Sequence, residues 1–479
     1  MKYGFMPRVM SDTEADKFLL YALFAWASSC FHPAMGLLMQ FPAILYLVKR
    51  CDFKSLPALL VLMLGKSNLR YFAVQGDFVL RFGITLAPGT LFTMATFIFA
   101  VIELLKGKYD RGAMAFSVLW LLSAIPAFVI SFQAKSYGLV GAWSAPVMAF
   151  LTPSVYYWAL SMSKTYEFGQ EYVVKRFIIV LIVGEVLWLV GAFYIFTFFH
   201  GTLLACMAVY VLKDKTHQWK SWNFVAVLGA FIAMLTMLFA RRFQIEARIA
   251  ADYNATEIAS ADKLGSTISA MANMIFSLWF SLVGRKMSRG LLRILPIIMV
   301  VLNIVLVSYA ITTQSGNRAH DVTHKYETFS ERLEFKLFGD RAVVWGMGWD
   351  EIKTPPYVFK DMRQIYEVYS NGRAGMKMLP HNQFITLLAR YGLWLGGILS
   401  IFIIWVWMRA LKAMTRFSFD SFLSVVLIPV GLSIFFIVGI SGQSVVTGDI
   451  WGNALACLIF PGIAYGHMMG CQQRSMFRG

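Results

Sequence analysis

Charge is what this chain has least of. Asp, Glu, Lys and Arg together make up 14% of its 479 residues, where soluble domains carry roughly 25%. A water-facing surface for so long a chain cannot be built from so few charges, and the 58% of hydrophobic residues would have no interior large enough to hide in. Paired cysteines are missing too. Cys30, Cys51, Cys206, Cys457 and Cys471 are scattered without C-x-x-C or other metal-ligand spacing, so they read as small core residues or reduced thiols. There is no G-x-x-x-x-G-K-[ST] loop, no strand-turn-helix G-x-G-x-x-G, no internal repeat and no low-complexity run. Without a nucleotide loop, and with basic connections too short to hold a nucleotide-binding domain, an ATP-driven pump within this chain is not expected. The formal charge of +17 suggests nucleic acid at first sight. Its Lys and Arg residues sit in short bursts between apolar runs, which is the pattern of membrane topology, and no nucleic-acid partner is expected.

What is present is a succession of apolar stretches near the ~18–20 residues that cross a bilayer. The first begins near Phe18, breaks at His32-Pro33 and resumes to Val48, as a hairpin of two spans. Others follow near Leu56–Leu64, Gly83–Leu105, Ala113–Phe132, Gly138–Met162, Phe177–Phe199, Gly201–Leu212, Trp222–Phe239, Thr267–Val283, Ile294–Thr312, Phe384–Met408, Phe422–Ile440 and Trp451–Met468. The expected fold class is an all-α polytopic membrane protein with about 12–14 transmembrane helices. Every second connection is basic: Lys49–Lys54, Lys106–Arg111, Lys164–Arg176, Lys213–Lys220, Arg285–Arg293, Arg409–Arg416 and the Arg474/Arg478 tail. The positive-inside rule makes these cytoplasmic, puts both termini inside, and reads the polar start MKYGFMPRVMSDTEADK as a retained tail. Three regions result: a transmembrane bundle over 1–312, an outward loop over 313–383, and C-terminal spans over 384–479.

The outward loop carries the unusual chemistry. It mixes charges of both signs with many aromatics, too apolar for a disordered linker and too long for a plain connection. Within it, helix-like spacing runs from Arg341 to Ile352, with Val344, Trp345 and Gly348 on one side and a stop at Pro355-Pro356. An Arg at a helix start opposes the helix dipole. Either Glu334 or Asp340 neutralises Arg341, or it binds an anion such as phosphate bidentately. Arg241-Arg242 ends an outward-going span, where the negative end of that span's dipole would also welcome it. His320 and His324 stand at i,i+4 but lack the glutamate of H-E-x-x-H, and no metal is expected there. His381 lies where the loop meets the apolar run from Phe384; Pro380 fixes the chain before it and Asn382 is placed to orient its imidazole.

The segment GDRAVVWGMGWDEIKTPP, followed some forty residues later by HNQFITLLARYGLWLGG, resembles the signature of the bacterial O-antigen ligase and O-antigen polymerase family: R-x-x-x-W, a variable loop, H-N-x-[FY]-[LI] opening a span, and a glycine turn such as Tyr391-Gly392-Leu393. The likeness covers roughly the C-terminal 180 residues, and the remainder only as a many-span pattern. It implies a GT-C-like glycosyltransferase in the inner membrane, acting at its outer face without a nucleotide sugar, cofactor or metal. The implied donor is a glycan on undecaprenyl diphosphate, and the acceptor a second lipid-linked glycan, lipid A-core or a protein. The family's loop arginine falls on Arg341, with Trp345 beside it, and its histidine on His381 next to Asn382. A further family arginine has no clean counterpart; Arg241, Arg242 and Arg318 are the candidates. A diphosphate leaving group needs cationic stabilisation, which arginines supply, and the attacking hydroxyl needs a proton acceptor, which His381 would supply, with inversion at the anomeric carbon. No retaining-type carboxylate pair can be identified in the loop. The long aromatic loop and the large span count favour a polymerase, with a ligase as the alternative. A flippase or transporter is the reading from another class, in which a charge such as Glu185 would mark a pathway.

Overall fold

The computed structural model describes residues 9–31, 33–62, 78–79, 85–86, 88–106, 122–130, 132, 147, 150–189, 197–213, 220–235, 271–314, 340–355, 357–358, 382–415, 421–438 and 455–476. These residues are almost entirely helical. Strand occurs only as a two-residue antiparallel pair, Phe78–Val79 with Thr85–Leu86. In chain order the helices are α1 (Asp12–Phe31), α2 (Pro33–Arg50), α3 (Leu56–Leu62), α4 (Pro88–Leu105), α5 (122–130), α6 (Pro153–Met162), α7 (Tyr166–Leu189), α8 (Thr197–Leu212), α9 (Asn223–Leu235), α10 (Met271–Val283), α11 (Arg289–Gln314), α12 (Asp340–Lys353), α13 (Gln383–Met414), α14 (422–438) and α15 (455–476). By length and composition, two stretches among the described residues are long and apolar enough to cross a membrane: Arg289–Thr312 and Gln383–Met414.

Local chemistry explains the boundaries. Ser11 opens α1 by accepting from the Glu14 backbone N–H at 3.1 Å, with Asp12 and Glu14 in the first turn where the dipole favours them. The break expected at His32-Pro33 separates α1 from α2, and the two pack against each other. After α2, Cys51 takes a left-handed backbone (φ 49°). Asp52 then accepts from the backbone N–H of Met10 at 2.8 Å and of Lys54 at 2.9 Å. The Trp158 indole donates to the Val48 carbonyl at 3.1 Å, tying α6 to the same bend. Beside it lies a layer of ion pairs: Glu14 with Arg50, Lys54 with Asp12, and Arg176 bidentate to Asp16 at 2.7 Å for both bonds.

The interior is mainly apolar, with polar side chains set into it. Buried polar side chains such as Thr96, Ser154, Thr202, Ser277, Ser281 and Asn303 lie between helices, while large apolar side chains on α11, among them Val301, Ile304 and Val305, are more than half exposed. Helix α14 shows how the interior polar groups are used. Pro429 has no N–H, so the Val425 carbonyl four residues earlier loses its helical donor. The Ser281 hydroxyl of α10 reaches that carbonyl at 2.7 Å, and Ser277 reaches the Pro429 carbonyl at 3.3 Å. The flanking turns, Leu423–Leu427 and Ile434–Val438, are π-helical.

The hydrogen bonds from Arg176 hold the Asp16 carboxyl below its ordinary value, with a further bond from Tyr172 and against some loss of hydration. A lowered carboxylate contributes stability that is fully present above its unfolded value and is lost as pH falls through the lowered one. Both partners are about one-third exposed, so the pair contributes only about 0.5–1 kcal/mol. In thermal unfolding of the detergent-solubilised protein, Asp16→Asn should melt below wild type at pH 7, and the gap should close as pH is taken below the carboxylate range.

Candidate functional site

Helix α12 is where the sequence places it, within a residue of Arg341–Ile352 at each end, and a bend at Thr354-Pro355 follows its last residue, Lys353. It packs against both α11 and α13. Its anchor is Trp345, 2% exposed, set against Val307 and Ala310 of α11 and Ile385 of α13. Two pieces of sequence forty residues apart, the one holding Trp345 and the one opened by Asn382, therefore meet. Arg341 begins α12 one turn before Trp345. Its side chain, and His381, Arg241, Arg242 and Arg318, lie outside the described residues.

The helix that Asn382 opens is not the single span expected over Phe384–Met408. It is broken at Gly392, whose φ of 72° and ψ of −178° leave the helical region for one that only glycine occupies without strain. The run is mostly apolar, and apolarity does not register a backbone break; only the resemblance points to a glycine turn at Tyr391-Gly392-Leu393. The first limb, 383–391, has nine residues and is about 13 Å long at about 1.5 Å per residue, too short to cross a bilayer. The second limb, 393–414, is of full span length. The limbs fold back on each other: a Cβ on Gly396 would overlap the Leu387 carbonyl. The Phe435 ring likewise touches Phe384 of the first limb and Trp407 of the second, at 6.2 and 5.7 Å between ring centres.

Breaking the helix frees backbone donors, and the chain after α12 supplies their acceptors. The Leu393 N–H donates to the Tyr357 carbonyl at 2.8 Å and the Trp394 N–H to the Val358 carbonyl at 3.4 Å. This pins the loop to the corner, and a Cβ on Gly392 would stand 2.5 Å from the Val358 oxygen.

Asn382 is fully buried. Its Oδ1 accepts from the backbone N–H of Phe384 at 3.1 Å and of Ile385 at 3.2 Å, the N-cap arrangement. Its Nδ2 donates to Oδ1 of Asn303 at 2.7 Å. Asn303 is itself buried and stands eleven residues from the C-terminal end of the 26-residue α11, near mid-length. Both oxygen lone pairs and one amide hydrogen of Asn382 are thus committed to the cap and to Asn303; the role expected for it, orienting the His381 imidazole, falls on a residue outside the described ones. Asn382 fixes the backbone from which His381 departs.

Around the first turn of the short limb three buried polar atoms have no hydrogen-bond partner among the described residues: Gln383 Oε1, Thr386 Oγ1 and, against Ile385, Trp345 Nε1. Each costs about 1–3 kcal/mol when left unpaired. They stand by a helix N-terminus, the positive end of its dipole. Sequence reasoning had no signal for Gln383, which read there as the last residue of the outward loop, or for Thr386, an ordinary member of the apolar run. It also missed Glu167, His467 and Cys471, whose side chains meet elsewhere, between α7 and α15; the i,i+4 spacing of His467 and Cys471 was the one available hint.

Two outcomes are expected. Gly392→Ala should cost at least about 2 kcal/mol through backbone strain and overlap with Val358, lowering the melting temperature and monodisperse yield, while Gly397→Ala, with open space at its Cβ, should be neutral or stabilising. In a double-mutant cycle, Asn303→Ala and Asn382→Ala should be coupled by about 1 kcal/mol or more, with Asn382→Ala the costlier single change because it also removes the cap. Compared with protein-family models, with curated proteins and with solved structures, the chain matches none of them.

Proposed function

We propose that the chain is a polytopic membrane glycosyltransferase of GT-C-like architecture that moves an undecaprenyl-diphosphate-linked glycan onto an acceptor hydroxyl at the outer face of the bacterial inner membrane, as a surface-polysaccharide polymerase. The membrane reading is supported by α11, where exposed Val301, Ile304 and Val305 suit lipid and buried Asn303 suits a helix interface. On that reading Asn303 and Asn382 lie near the bilayer midplane, and the short limb is a re-entrant half-helix whose N-terminus opens inside the protein.

The observation that carries the proposal is the docking of α12, through Trp345, onto the first turn of the half-helix at Ile385. This supports the reading, because the two segments that resemble the O-antigen ligase and polymerase signature are the ones that meet there. Arg341, one turn before Trp345, would hold the diphosphate as it departs, and Arg241, Arg242 or Arg318 would share that charge. His381, immediately before the cap, would accept the proton of the attacking hydroxyl. The N-terminus of the half-helix adds a partial positive charge beside the leaving group. The glycan acceptor of a polymerase and the lipid A-core or protein acceptor of a ligase would use the same centre.

One observation favours a second reading. Transporters also place broken half-helices at membrane depth with their N-termini toward anionic substrates, so the Gly392 break fits a lipid-linked-glycan flippase too. Solubilised protein separates the two, since a flippase has nothing to transport in a micelle. Purified protein in detergent, given polyprenyl-diphosphate-linked glycan, should form a new glycosidic product detectable by mass spectrometry. Arg341→Ala and His381→Ala should each lower its rate by at least about 100-fold at unchanged protein level. No product from wild type under these conditions, with lipid-linked glycan crossing proteoliposome membranes, would establish the transporter instead. A deletion strain separates the acceptors: single repeat units on the final acceptor mark a missing polymerase, and full-length chains left on the lipid carrier a missing ligase.

A further inference from the structure

Helix α15 lies against α6 along a seam of glycines. A Cβ on Gly462 would crowd Ala159 and Tyr156, and one on Gly466 would overlap Ser163. So close an approach leaves α15 little freedom to rotate or slide. It also fixes the residue after Gly466, His467, beside the start of α7, which continues from α6 through the Ser163–Thr165 turn. The ring of Tyr166, 3% exposed, packs 4.6 Å from the imidazole. Glu167 follows in the first turn of α7, where the helix dipole favours a carboxylate. Cys471 stands one turn beyond His467 on the same face of α15, with its Sγ 3.7 Å from His467 Nε2 and 4.0 Å from Glu167 Oε1.

Three different donor atoms, from residues three hundred positions apart, thus lie within 4.8 Å of one another. The spacing is close to what a metal requires: a tetrahedral ion at about 2.3 Å from sulfur and about 2.0 Å from nitrogen or oxygen sets its ligands about 3.5 Å apart. Thiolate, imidazole and carboxylate are a borderline donor set, suited to zinc and its neighbours in the first transition row; magnesium and calcium take oxygen donors alone.

We propose that Glu167, His467 and Cys471 form a binding site for one divalent ion of the zinc class, clamping the end of α15 to the start of α7 on the basic-loop side of the protein and leaving the fourth coordination position to water. The site is separate from the half-helix centre and takes no part in the chemistry there. Binding needs the Cys471 thiolate and so releases its proton as the sulfur–metal bond forms.

Cobalt is the probe, because thiolate coordination to Co2+ gives a near-ultraviolet charge-transfer band. Tag-free full-length protein in detergent should bind one Co2+ per chain with that band, and Zn2+ should displace it. Cys471→Ser should abolish the band, while His467→Ala and Glu167→Gln should each weaken binding by about 10-fold or more. These side chains are exposed or half-buried, so the variants should elute as monodisperse protein. A wild-type protein saturated with Co2+ but lacking the band, a band that survives Cys471→Ser, or unchanged affinity in both other variants would overturn the proposal.

Discussion

Buried backbone N–H and C=O groups must find partners, and in this molecule that requirement shapes the centre of the fold. A helix that turns back at Gly392 exposes donors on one side of the corner and begins, at Gln383, with donors that no preceding turn can satisfy. Tyr357 and Val358 answer the first need and Asn382 the second. Both answers reach outward: the carbonyls belong to the chain leaving α12, and Asn382 is held by Asn303 of α11. Helices α11, α12 and α13 are therefore joined through the groups that one break sets free.

The same logic recurs at α14, where Pro429 leaves a carbonyl that Ser281 meets. The break that Pro429 makes is repaired locally by a neighbouring hydroxyl. The break at Gly392 is repaired by a long-range segment, and at the far end of the short limb, by its N-terminus, two side-chain oxygens and an indole N–H have no hydrogen-bond partner among the described residues. Polar capacity left over at a capped, buried helix start is what a diphosphate and its acceptor sugar would use. The proposed chemistry follows from that surplus as much as from Arg341 and His381.

Much of the local structure was legible because it is written in short-range signals. The proline at residue 33 marks a break, and the span of α12 follows from apolar spacing ended by Pro355-Pro356. The fold-back at Gly392 was not legible as geometry. An apolar run reports what a segment avoids, and a single glycine does not report its φ. Asn382 could be read as a cap, but its partner Asn303 lies 79 residues earlier, in a helix whose neighbours are otherwise apolar. Of the candidate site, Trp345 and Asn382 are seen to come together around Ile385, while Gln383 and Thr386 gained meaning only once the short limb was seen to end inside the protein.

The central claim is that Arg341 and the half-helix opened beside His381 bind one diphosphate. Phosphorus NMR of a short-chain polyprenyl diphosphate titrated with the purified protein tests it most directly. The account predicts that wild type shifts and broadens both phosphorus resonances, that a polyprenyl monophosphate binds at least about 10-fold more weakly, and that Arg341→Ala removes the diphosphate effect. Equal binding of monophosphate and diphosphate, or a response unchanged in Arg341→Ala, would contradict it.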